Sequence, residues 1–549
     1  MFAHTFIIRK KIMHEKSTIQ WTSIATVLML LALPTIELGA QELPAPPRLV
    51  VHITVDQLRT DYLQAFSQTF SNRGIKRLWQ NGIVYTEGRM PQMNVDNASA
   101  VATLFTGATP SVHGIISDHW FDRKTQQPID ATFDSHFIGN YTNETASPKH
   151  LLALTVPDIL KQSTQGHAIV YSIAPTRDAA ILSGGHSANS ALWIDASTGK
   201  WCSSTFYQNF PRFVENINQS ESLSDRIESI SWQPLNTFQQ FSYLTTTYQK
   251  SSFKYRFKDY KPLQYKRFIE SPLVNDEVNK IAEACLNNTA IGRDETPDYL
   301  SVNYTIGRTP EQEENQQPLE LQDSYTRLDN QVGNLLDAID LKIGLKNALI
   351  IFTGTGYDNQ ITDYSESLTS SSENHIPGGK FSIHRCAALL NLYLMASFGD
   401  GQWVAGQCNN NIYLDHNIIK DKKINLQKMV DYSAAFLTQF SGVAQVYTSY
   451  QLLMGNSSYE SVPMQYGFSS ANSGDLLLRL LPGWKNVNEY GQVENITHYD
   501  IAPCPIIIMG PSNQARIIKT PVRTTQLAPT IARLIRIRGP NGCSDSPLF

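Results

Sequence analysis

Three apolar segments, each long enough to form a buried β-strand, most strongly limit how this chain can fold. They are RLVVHITVD (48–56), ALIIFTG (348–354) and CPIIIMG (504–510). Runs of this length, bounded by turn residues, are typical of strands covered on both faces of a parallel sheet. We therefore predict an α/β fold with a doubly wound, mostly parallel sheet and helices on both faces.

Helical patterns lie between these strands. The spacing of apolar residues predicts helices in FSNRGIKRLWQNG (70–82), NASAVATLFTG (97–107), SYTRLDNQVGNLLDAIDLKIG (324–344) and QLAPTIARLIRI (526–537). Gly82 and Gly107 end the first two, as glycine often does after a helix. The segment PDYLSVNYTIG (297–307) predicts a further strand.

The stretch from about residue 134 to residue 290 is less regular than the rest. It is rich in Ser, Thr, Asn and aromatic residues, and its segment ENINQSESLSDRIES breaks the periodicity. We interpret this stretch as a cap inserted into the α/β domain, which spans residues 41–549.

The first forty residues have the features of an export signal. Basic residues precede the apolar segment SIATVLMLLALP, and LGA before Gln41 resembles a cleavage site for a signal peptidase. An uncleaved membrane anchor is the alternative. We expect a periplasmic or secreted protein, and no later segment has the roughly 20 apolar residues of a membrane span.

Charge and cysteine spacing exclude two classes of site. The formal net charge is −4, which gives no basic surface typical of nucleic-acid binding. The six cysteines show neither CxxC nor another spacing typical of metal sites, and they indicate no particular disulfide pairing.

Several segments together resemble the alkaline phosphatase superfamily, most closely the exported PafA-type phosphatases and the nucleotide pyrophosphatase/phosphodiesterases. They are VVHITVDQLRTDYL, TLFTGATPSVHGI, GGHSANSALWIDASTGKWCSSTFY, TPDYLSVNY, CPIIIMG and LAPTIARLI. The resemblance extends over nearly the whole chain after the signal. It implies a two-zinc site and a Thr or Ser nucleophile at a helix start, with metal ions about 4 Å apart that stabilise both oxygens of a phosphoryl transfer.

The positions that this resemblance assigns to zinc ligands are mostly occupied by residues that bind zinc poorly. Asp56, after the first strand, is the one ligand that matches. The stretch that should hold an Asp-x-x-x-His pair has Arg308 near the position of the His. The Asp-His pair expected after ALIIFTG is replaced by Thr355 and Gly356, and the final His by Val493. Asp56 is therefore predicted to be a vestigial ligand.

The positions assigned to the nucleophile and to the phosphate-binding groups also differ. Asn97 stands where the nucleophile is expected, and an amide cannot act as an alkoxide. Asp118 replaces an Asn, and Thr176 and Asp178 replace the Lys and Arg that hold the phosphate. A carboxylate in place of a guanidinium repels a phosphate dianion.

Other residues were weighed as replacements. Arg308 is hypothesised to occupy the space of the metal ions and pair with Asp56; hydrogen bonding of Asp56 to the loop amides around it is the alternative. Ser99 and Thr103 could be displaced nucleophiles, but helix packing or capping is the favoured interpretation for Ser99. A shifted metal site is conceivable with the following residues: Asp358, His498 and Asp500.

These patterns favour a pseudoenzyme without catalytic residues or a cofactor, which binds another exported protein or a ligand in its cleft. One alternative is a zinc-dependent phosphomonoesterase or phosphodiesterase with a rearranged site. Another is a glycan binder, which requires an exposed row formed by aromatic residues of the cap region. The aromatic cluster of that region is more typical of a core than of a ligand platform; it consists of Trp193, Trp201, Phe206 and Tyr207. His186 is expected to be a histidine with satisfied hydrogen bonds.

Overall fold

The central strand of the protein, Leu49–Asp56, is the first of the segments that the sequence marks as buried. The computed structural model describes residues 45–208, 210–235, 252–309, 318–357, 378–455, 461–488, 490–491, 493–496, 502–511 and 514–549. Residues Pro46–Phe549 form one compact unit.

The strands in the described ranges are numbered in chain order. They are β1 Leu49–Asp56, β2 Ile83–Arg89, β3 His119–Asp122, β4 Gln127–Asp130, β5 Gly139–Asn140, β6 Val170–Ile173, β7 Ser190–Ile194, β8 Trp201–Ser204, β9 Ser231–Trp232, β10 Tyr255–Arg256, β11 Asp298–Thr305, β12 Ala348–Gly354, β13 Lys380–Phe381, β14 Val404–Cys408, β15 Asn411–Leu414, β16 Val443–Thr448, β17 Leu476–Leu480, β18 Lys485–Val487, β19 Val493–Ile496, β20 Cys504–Met509, β21 Arg516–Ile518 and β22 Val522–Arg523.

The α-helices of the described ranges are designated by their residues. They are Thr60–Ala65, Ile75–Asn81, Asn97–Thr106, Pro110–His113, Val156–Ser163, Arg177–Gly184, Arg212–Ser220, Leu223–Arg226, Gln264–Ile269, Val274–Asn288, Pro318–Lys342, Ile383–Phe398, His416–Asp421, Leu426–Leu437, Ser449–Met454, Val462–Gly467 and Leu527–Leu534. The helices predicted from the sequence are confirmed, and Gly82 and Gly107 follow the ends of theirs.

The main sheet has the order β21-β2-β20-β12-β1-β11-β6-β7-β8-β5, with β22 paired to β2. Strand β1 pairs in parallel with both β11 and β12, and β6 is parallel to β11 and to β7. Strand β20 runs antiparallel to its two neighbours, β12 and β2. The prediction of a mostly parallel α/β sheet is therefore confirmed.

Both faces of this sheet are covered, as the apolar composition of β1 requires. Val51, Ile53 and Val55 belong to one buried cluster, together with residues of the helices Val274–Asn288 and Pro318–Lys342. Val50 points to the other side and belongs to a second cluster, which contains residues of the helix Asn97–Thr106. The alternation of side chains along a strand explains this division.

The predicted cap at residues 134–290 is wrong for a large part of that stretch. Strands β5 to β8 lie in the main sheet, and the helix Arg177–Gly184 belongs to the cluster on one of its faces. These strands have only two to five residues each. Such short segments, rich in Ser and Trp, do not show the long apolar runs on which the prediction depended.

A second, smaller lobe lies instead near the carboxyl end of the chain. Its sheet has the order β14-β15-β17-β16 and packs its own core with the helices Ile383–Phe398 and Leu426–Leu437. The sequence analysis did not predict this lobe. Among the described residues, no helix is long and apolar enough to span a lipid bilayer.

Candidate functional site

Parallel pairing brings the ends of β1 and β12 together at one edge of the main sheet. Val55 lies opposite Gly354, and the Thr355 backbone N–H donates to the Val55 carbonyl at 3.2 Å. Because ligand sites of doubly wound sheets form at the carboxyl ends of strands, this edge is where functional groups are expected. Asp56 and Thr355, separated by 299 positions in sequence, meet there.

We call Asp56, Gln57, Thr355, Gly356 and Tyr357 the sheet-edge cluster. The Tyr357 hydroxyl donates to Asp56 Oδ1 at 2.7 Å, and the Thr355 hydroxyl donates to the same oxygen at 3.2 Å. The Gln57 side-chain amide donates to Asp56 Oδ2 at 3.3 Å. Neutral donors therefore surround the carboxylate that the sequence predicts to be a vestigial ligand.

Tyr357 contributes a hydroxyl that the sequence analysis did not consider. Burial raises the pKa of Tyr357, and the charge and hydrogen bond of Asp56 raise it further. The phenol therefore stays protonated at neutral pH and serves as a donor. Tyr357 follows Thr355 by two residues, and this proximity in sequence indicates that it lies in the same loop. Nothing in the sequence shows that its hydroxyl turns towards Asp56.

The hypothesis that Arg308 pairs with Asp56 is wrong. Arg308 is exposed, and the ion pairs of the described residues include none between these two side chains. The backbone of this segment is held by the Arg308 N–H, which donates to the Glu270 carbonyl at 2.6 Å. Asp56 accepts instead from the hydroxyls of Thr355 and Tyr357, and the Gln57 side-chain group is the one donor in this cluster that is an amide, as the alternative expected.

Gly356 and Val493 occupy the other two positions assigned to metal ligands. Gly356 is buried and adopts φ +72°, a conformation that glycine tolerates and other residues disfavour. A Cβ atom at this position would lie 2.9 Å from Met90 Cγ. Val493 begins β19, in a three-stranded sheet apart from the main sheet, and pairs there with Val487. Its side chain lies outside the described residues.

Asn97, at the predicted nucleophile position, begins the helix Asn97–Thr106. The preceding residue, Asp96, caps this helix: its carboxylate accepts from the Ser99 N–H at 2.9 Å. In return, the Asp96 N–H donates to the Ser99 hydroxyl oxygen. Asn97 is half-buried, and its Oδ1 has no hydrogen-bond partner in the described residues. An amide here can donate or accept a hydrogen bond but offers no nucleophilic oxygen.

Neither candidate for a displaced nucleophile is available. Ser99 is fully buried, and its hydroxyl donates to Asp96 Oδ1 at 2.7 Å, which confirms the capping interpretation. Thr103 is also buried: its hydroxyl donates to the Ser99 carbonyl and lies 3.1 Å from His113 Nε2. Both hydroxyls therefore stabilise the helix.

Asp96 also holds the loop that carries Asp118. The Ser117 hydroxyl and the Asp118 N–H donate to Asp96 Oδ2, at 2.7 and 2.6 Å. Burial raises the pKa of Asp96 to about 7, and the nearby Asp118 charge adds to the rise, although the hydrogen bonds from Ser99 and Ser117 oppose it. Below about pH 7, Asp96 is therefore mostly protonated, and this acidic residue adds little negative charge to the helix start.

Asp118 itself forms an ion pair with the next residue. Its Oδ1 lies 2.7 Å from His119 Nδ1. The hydrogen bond to Asp118 raises the pKa of His119 to about 11, with a further contribution from the Cys408 side chain. His119 is therefore an imidazolium at neutral pH, and sequence reasoning missed it.

Next to the two predicted positions Thr176 and Asp178 lies Arg177, which the sequence analysis overlooked. Its guanidinium pairs with Asp130 at 2.9 Å, Asp178 at 3.0 Å and Glu144 at 3.5 Å. These carboxylates raise the pKa of Arg177 although burial opposes the rise. Thr176 is exposed and precedes the helix that begins at Arg177.

We call Asp96, Asp118, His119, Arg177 and Asp178 the helix-start cluster, because these residues lie at or near the starts of two packed helices. Burial raises the pKa of Asp178 against the charge of Arg177, and Asp118 contributes to the same rise. The cluster therefore carries three carboxyl groups and two cations, and its cations are already paired with carboxylates.

A two-zinc centre requires several carboxylate and imidazole ligands, and the described residues do not fit it. No group of three or more His, Cys, Asp or Glu side chains in the described ranges is arranged to hold a metal ion. Thr355 and Gly356 offer neither ligand type, and Asp56 accepts from hydroxyl groups. Asp358, His498 and Asp500, proposed for a shifted site, lie outside the described residues.

The interpretation of the aromatic cluster as core is confirmed, and the exposed row that a glycan binder requires is not formed by these residues. Trp193, Trp201 and Tyr207 are 1%, 2% and 3% exposed and belong to the cores beside the main sheet, and Phe206 packs against Tyr207. His186 lies 3.2 Å from Asp158 through its Nδ1. This contact confirms the expectation that His186 has a hydrogen-bond partner.

Comparison with known sequences identifies the family. The family model described as type I phosphodiesterase / nucleotide pyrophosphatase matches residues 50–500 of this chain. The chain belongs to this family. That assignment agrees with the resemblance stated from the sequence segments above.

Members of known name resemble the chain over most of its length. Alkaline phosphatase PafA of Elizabethkingia meningoseptica is 26% identical over 534 residues, which cover 93% of this chain and 96% of that protein. Alkaline phosphatase PhoV of Synechococcus elongatus is 27% identical over 523 residues, covering 91% of this chain and 92% of that protein. The crystal structure of wild-type alkaline phosphatase PafA superposes with a TM-score of 0.78 at 25% identity, covering 92% of this chain and 99% of that one.

Proposed function

We propose that this protein is a non-catalytic member of its family, exported to the periplasm or secreted, which binds another exported protein or a ligand in its cleft. The observation that carries the proposal is the set of hydrogen bonds at Asp56. The Thr355 and Tyr357 hydroxyls both donate to Asp56 Oδ1, and the Gln57 side-chain amide donates to Oδ2, so both carboxylate oxygens accept hydrogen bonds from neutral groups. No zinc and no other cofactor is required for such a role.

The start of the helix Asn97–Thr106 supports the same proposal. Formation of a phosphoenzyme needs an oxygen nucleophile at a helix start, and Asn97 supplies an amide there. The two nearest hydroxyls along the helix, those of Ser99 and Thr103, are buried and engaged with Asp96 and the helix backbone. A new nucleophile would have to break these hydrogen bonds first.

The charges near this helix argue against binding of a phosphate dianion. Asp118 and Asp178 lie where phosphate-binding amide and guanidinium groups were expected, and Asp118 is exposed. Arg177 is the neighbouring cation, but it already pairs with Asp130, Asp178 and Glu144. Electrostatic complementarity therefore favours a partner or ligand that is neutral or positively charged at this surface.

The alternative is a metal-dependent phosphomonoesterase or phosphodiesterase with a rearranged site. It is favoured by the extent of the similarity to proteins named alkaline phosphatase, which covers more than nine-tenths of this chain in two relatives. It requires ligands from residues outside the described ranges, such as Asp358, His498 and Asp500, to join Asp56.

Metal content of the purified chain separates the two functions. The chain would be equilibrated with excess zinc, freed of loosely bound ions and measured by elemental analysis. The non-catalytic protein should retain essentially no zinc, and Asp56→Asn should not alter that value. About two zinc ions per chain, lost in Asp56→Asn, would overturn the proposal in favour of a two-metal enzyme.

Hydrolysis assays provide the second test, with p-nitrophenyl phosphate and bis-p-nitrophenyl phosphate in the presence of zinc. We expect no turnover above the zinc-only control. Asn97→Thr places a hydroxyl at the nucleophile position, and it should also remain inactive because the described residues offer no set of metal ligands. Zinc-dependent hydrolysis by the wild-type chain would contradict the proposal. Fractionation of producing cells, with and without residues 1–40, tests export separately.

A further inference from the structure

A pocket lies where the carboxyl-terminal end of the chain packs against the end of the helix Asn97–Thr106. Its volume is about 150 Å³. Gly107 lines it, and Asn97, at the start of the same helix, is about 15 Å from Gly107 along the helix axis. We call it the tail pocket and define it by six of its lining residues, which are Thr109, Ser111, Val112, Tyr466, Arg523 and Asp545.

The end of the chain forms one wall of the tail pocket and is packed closely against the helix end. A Cβ atom on Gly107 would overlap Cys543 Sγ, so the chain can approach here only because residue 107 is a glycine. The Cys543 thiol donates to the Thr106 carbonyl at 3.3 Å, and the Leu154 N–H donates to Asn541 Oδ1 at 2.8 Å. The wall is therefore part of the packed fold.

The charged residues that line the tail pocket form one neutral pair. The Arg523 guanidinium lies 2.8 Å from Asp545 Oδ1, and the Thr525 hydroxyl donates to the other carboxylate oxygen. The Asp545 side chain is 12% exposed and that of Arg523 is 51% exposed, so the carboxylate is the fixed member of the pair. An anionic ligand would be repelled by this carboxylate while it competes for the guanidinium, and the pair therefore disfavours phosphate.

Hydroxyl groups supply much of the remaining polar lining. Thr109 Oγ1 lies 2.8 Å from Ser111 Oγ, so one of these hydroxyls donates to the other. The hydroxyls of Tyr466 and Ser544 also line the pocket and form no hydrogen bond to other described residues. Each hydroxyl can both donate and accept, and the hydroxyls of a polyol have the same property. The Tyr466 ring and Val112 add apolar surface.

From this lining we propose that the tail pocket binds a small neutral polyol, such as a single sugar ring. Ligand hydroxyls donate to Asp545 and accept from Arg523, and others pair with the hydroxyls of Ser111 and Tyr466. The volume limits the ligand to a small molecule, because pockets for drug-sized ligands begin at about 300 Å³. The pocket lies at the opposite end of the helix Asn97–Thr106 from Asp96, so this site does not depend on the function proposed above.

The test titrates the folded full chain with D-glucose, D-galactose and myo-inositol and measures binding by saturation-transfer difference NMR. At least one of these probes should give a saturable signal with a Kd of roughly 1 mM, the weak affinity of a ligand with few atoms. No saturable signal from any of the three at about a hundredfold above that Kd would overturn the proposal. Glycine and inorganic phosphate at the polyol concentration should leave the signal unchanged, and displacement by either would show a site for charged ligands instead.

A first pair of variants locates the bound polyol. Val112 is exposed and lines the tail pocket, so Val112→Trp should fill the pocket from its rim and abolish the saturable signal. Leu341→Trp is the matched control, because Leu341 is 81% exposed on the helix Pro318–Lys342 and does not line the pocket. Equal affinity in wild type and Val112→Trp would overturn the assignment of the ligand to this pocket.

A second pair of variants tests the charged residues. Asp545→Asn keeps the shape of the side chain without its charge and should raise the Kd about tenfold. Asp259→Asn is the matched control, because its exposed pair with Arg256 lies outside the pocket lining. Circular dichroism checks folding, and Ser111→Ala, at an exposed position, should raise the Kd about threefold even if Asp545→Asn does not fold. A Kd unchanged in Ser111→Ala, or in folded Asp545→Asn, would contradict the proposed contacts.

Discussion

The sheet-edge cluster and the helix-start cluster occupy positions to which the family resemblance assigns catalytic groups, yet they are satisfied in opposite ways. At the sheet edge, one carboxylate accepts hydrogen bonds from neutral side chains of Gln57, Thr355 and Tyr357. At the helix starts, carboxyl groups pair with the cations His119 and Arg177. The same need, to stabilise carboxylates near a cleft, is met by hydroxyl groups in one cluster and by ion pairs in the other.

This difference determines how each cluster should respond to change. Removal of a neutral donor from Asp56 removes one hydrogen bond but leaves the others. Removal of a cation from the helix starts leaves partly buried carboxylates without a counter-ion, which is more costly. The fold also buries two histidines beside the helix Asn97–Thr106: His52 on β1 stacks on Phe105, and His113 contacts Thr103.

The largest effect is expected at Arg177. Arg177→Leu should lower the free energy of unfolding by about 4 kcal/mol, because Asp130, Glu144 and Asp178 lose the cation they share. Arg256→Leu is the matched control, since its pair with Asp259 is exposed and should contribute below about 1 kcal/mol. Chemical denaturation measures both. Equal losses in the two variants would show that the helix-start cluster does not depend on its ion pairs.

Acid should destabilise the fold through the two buried histidines, His52 and His113. Burial lowers the pKa of His52 and of His113 to about 3, so the unfolded chain binds more protons than the folded one below pH 6.5. The stability that these two neutral histidines provide is therefore present above pH 6.5 and is lost as pH falls. Between pH 6.5 and pH 5 each histidine should contribute a loss of about 2 kcal/mol.

Replacement by glutamine checks these contributions one histidine at a time. Unfolding curves of His52→Gln and His113→Gln across this pH range should each show a weaker pH dependence than wild type. The exposed His136→Gln should follow the wild-type profile. A pH dependence unchanged in one of the two buried variants would show that the replaced histidine is not held neutral by the fold.

A smaller effect is expected in the sheet-edge cluster. Tyr357→Phe removes the 2.7 Å hydrogen bond to Asp56 and should lower the free energy of unfolding by about 1.5 kcal/mol, the lower end for a bond to a charged group. Tyr141→Phe is the matched control, because that hydroxyl donates to Glu215 at the exposed surface. A decrease in the free energy of unfolding as large as that of Arg177→Leu would contradict the proposed difference between the two clusters.

The smallest expected effect concerns Asp96 and has the opposite sign to that of the histidines. The raised pKa of Asp96 means that the folded chain holds a proton that the unfolded chain has lost, so this contribution is present below about pH 4 and declines as pH rises towards 7. Between pH 5 and pH 6, the free energy of unfolding of Asp96→Asn should rise by about 1 kcal/mol relative to that of wild type. Thermal unfolding at these two pH values measures the gain. A constant difference would show that Asp96 does not bind this proton.

The sequence predicted the parts of the fold that depend on long local patterns. Strands β1, β12 and β20 and the helix Asn97–Thr106 follow from apolar runs and terminal glycines. Strands β5 to β8 were missed because segments of two to five residues carry too little pattern. Pairing with neighbours in the main sheet, rather than local preference, stabilises such short strands.

The site was predictable by position but not by contact. Asp56, Asn97, Thr355 and Gly356 were marked because each aligns with a family position. The contacts that define the clusters join separate segments: Tyr357 to Asp56 across 301 positions, and Asp118 to Asp96 across 22. Side-chain direction in loops has no periodic signal, and the pairing of Arg308 with Asp56 was wrong for this reason.

The conformation of Gly356 also limits how this protein could change over evolutionary time. A histidine at this position would have to adopt φ near +72°, which costs roughly 1–2 kcal/mol for an L-residue, and would push against Met90. A single codon change would thus lower stability before any new ligand could be useful. Introduction of a metal-binding histidine here would therefore need Met90 and the loop backbone to change first.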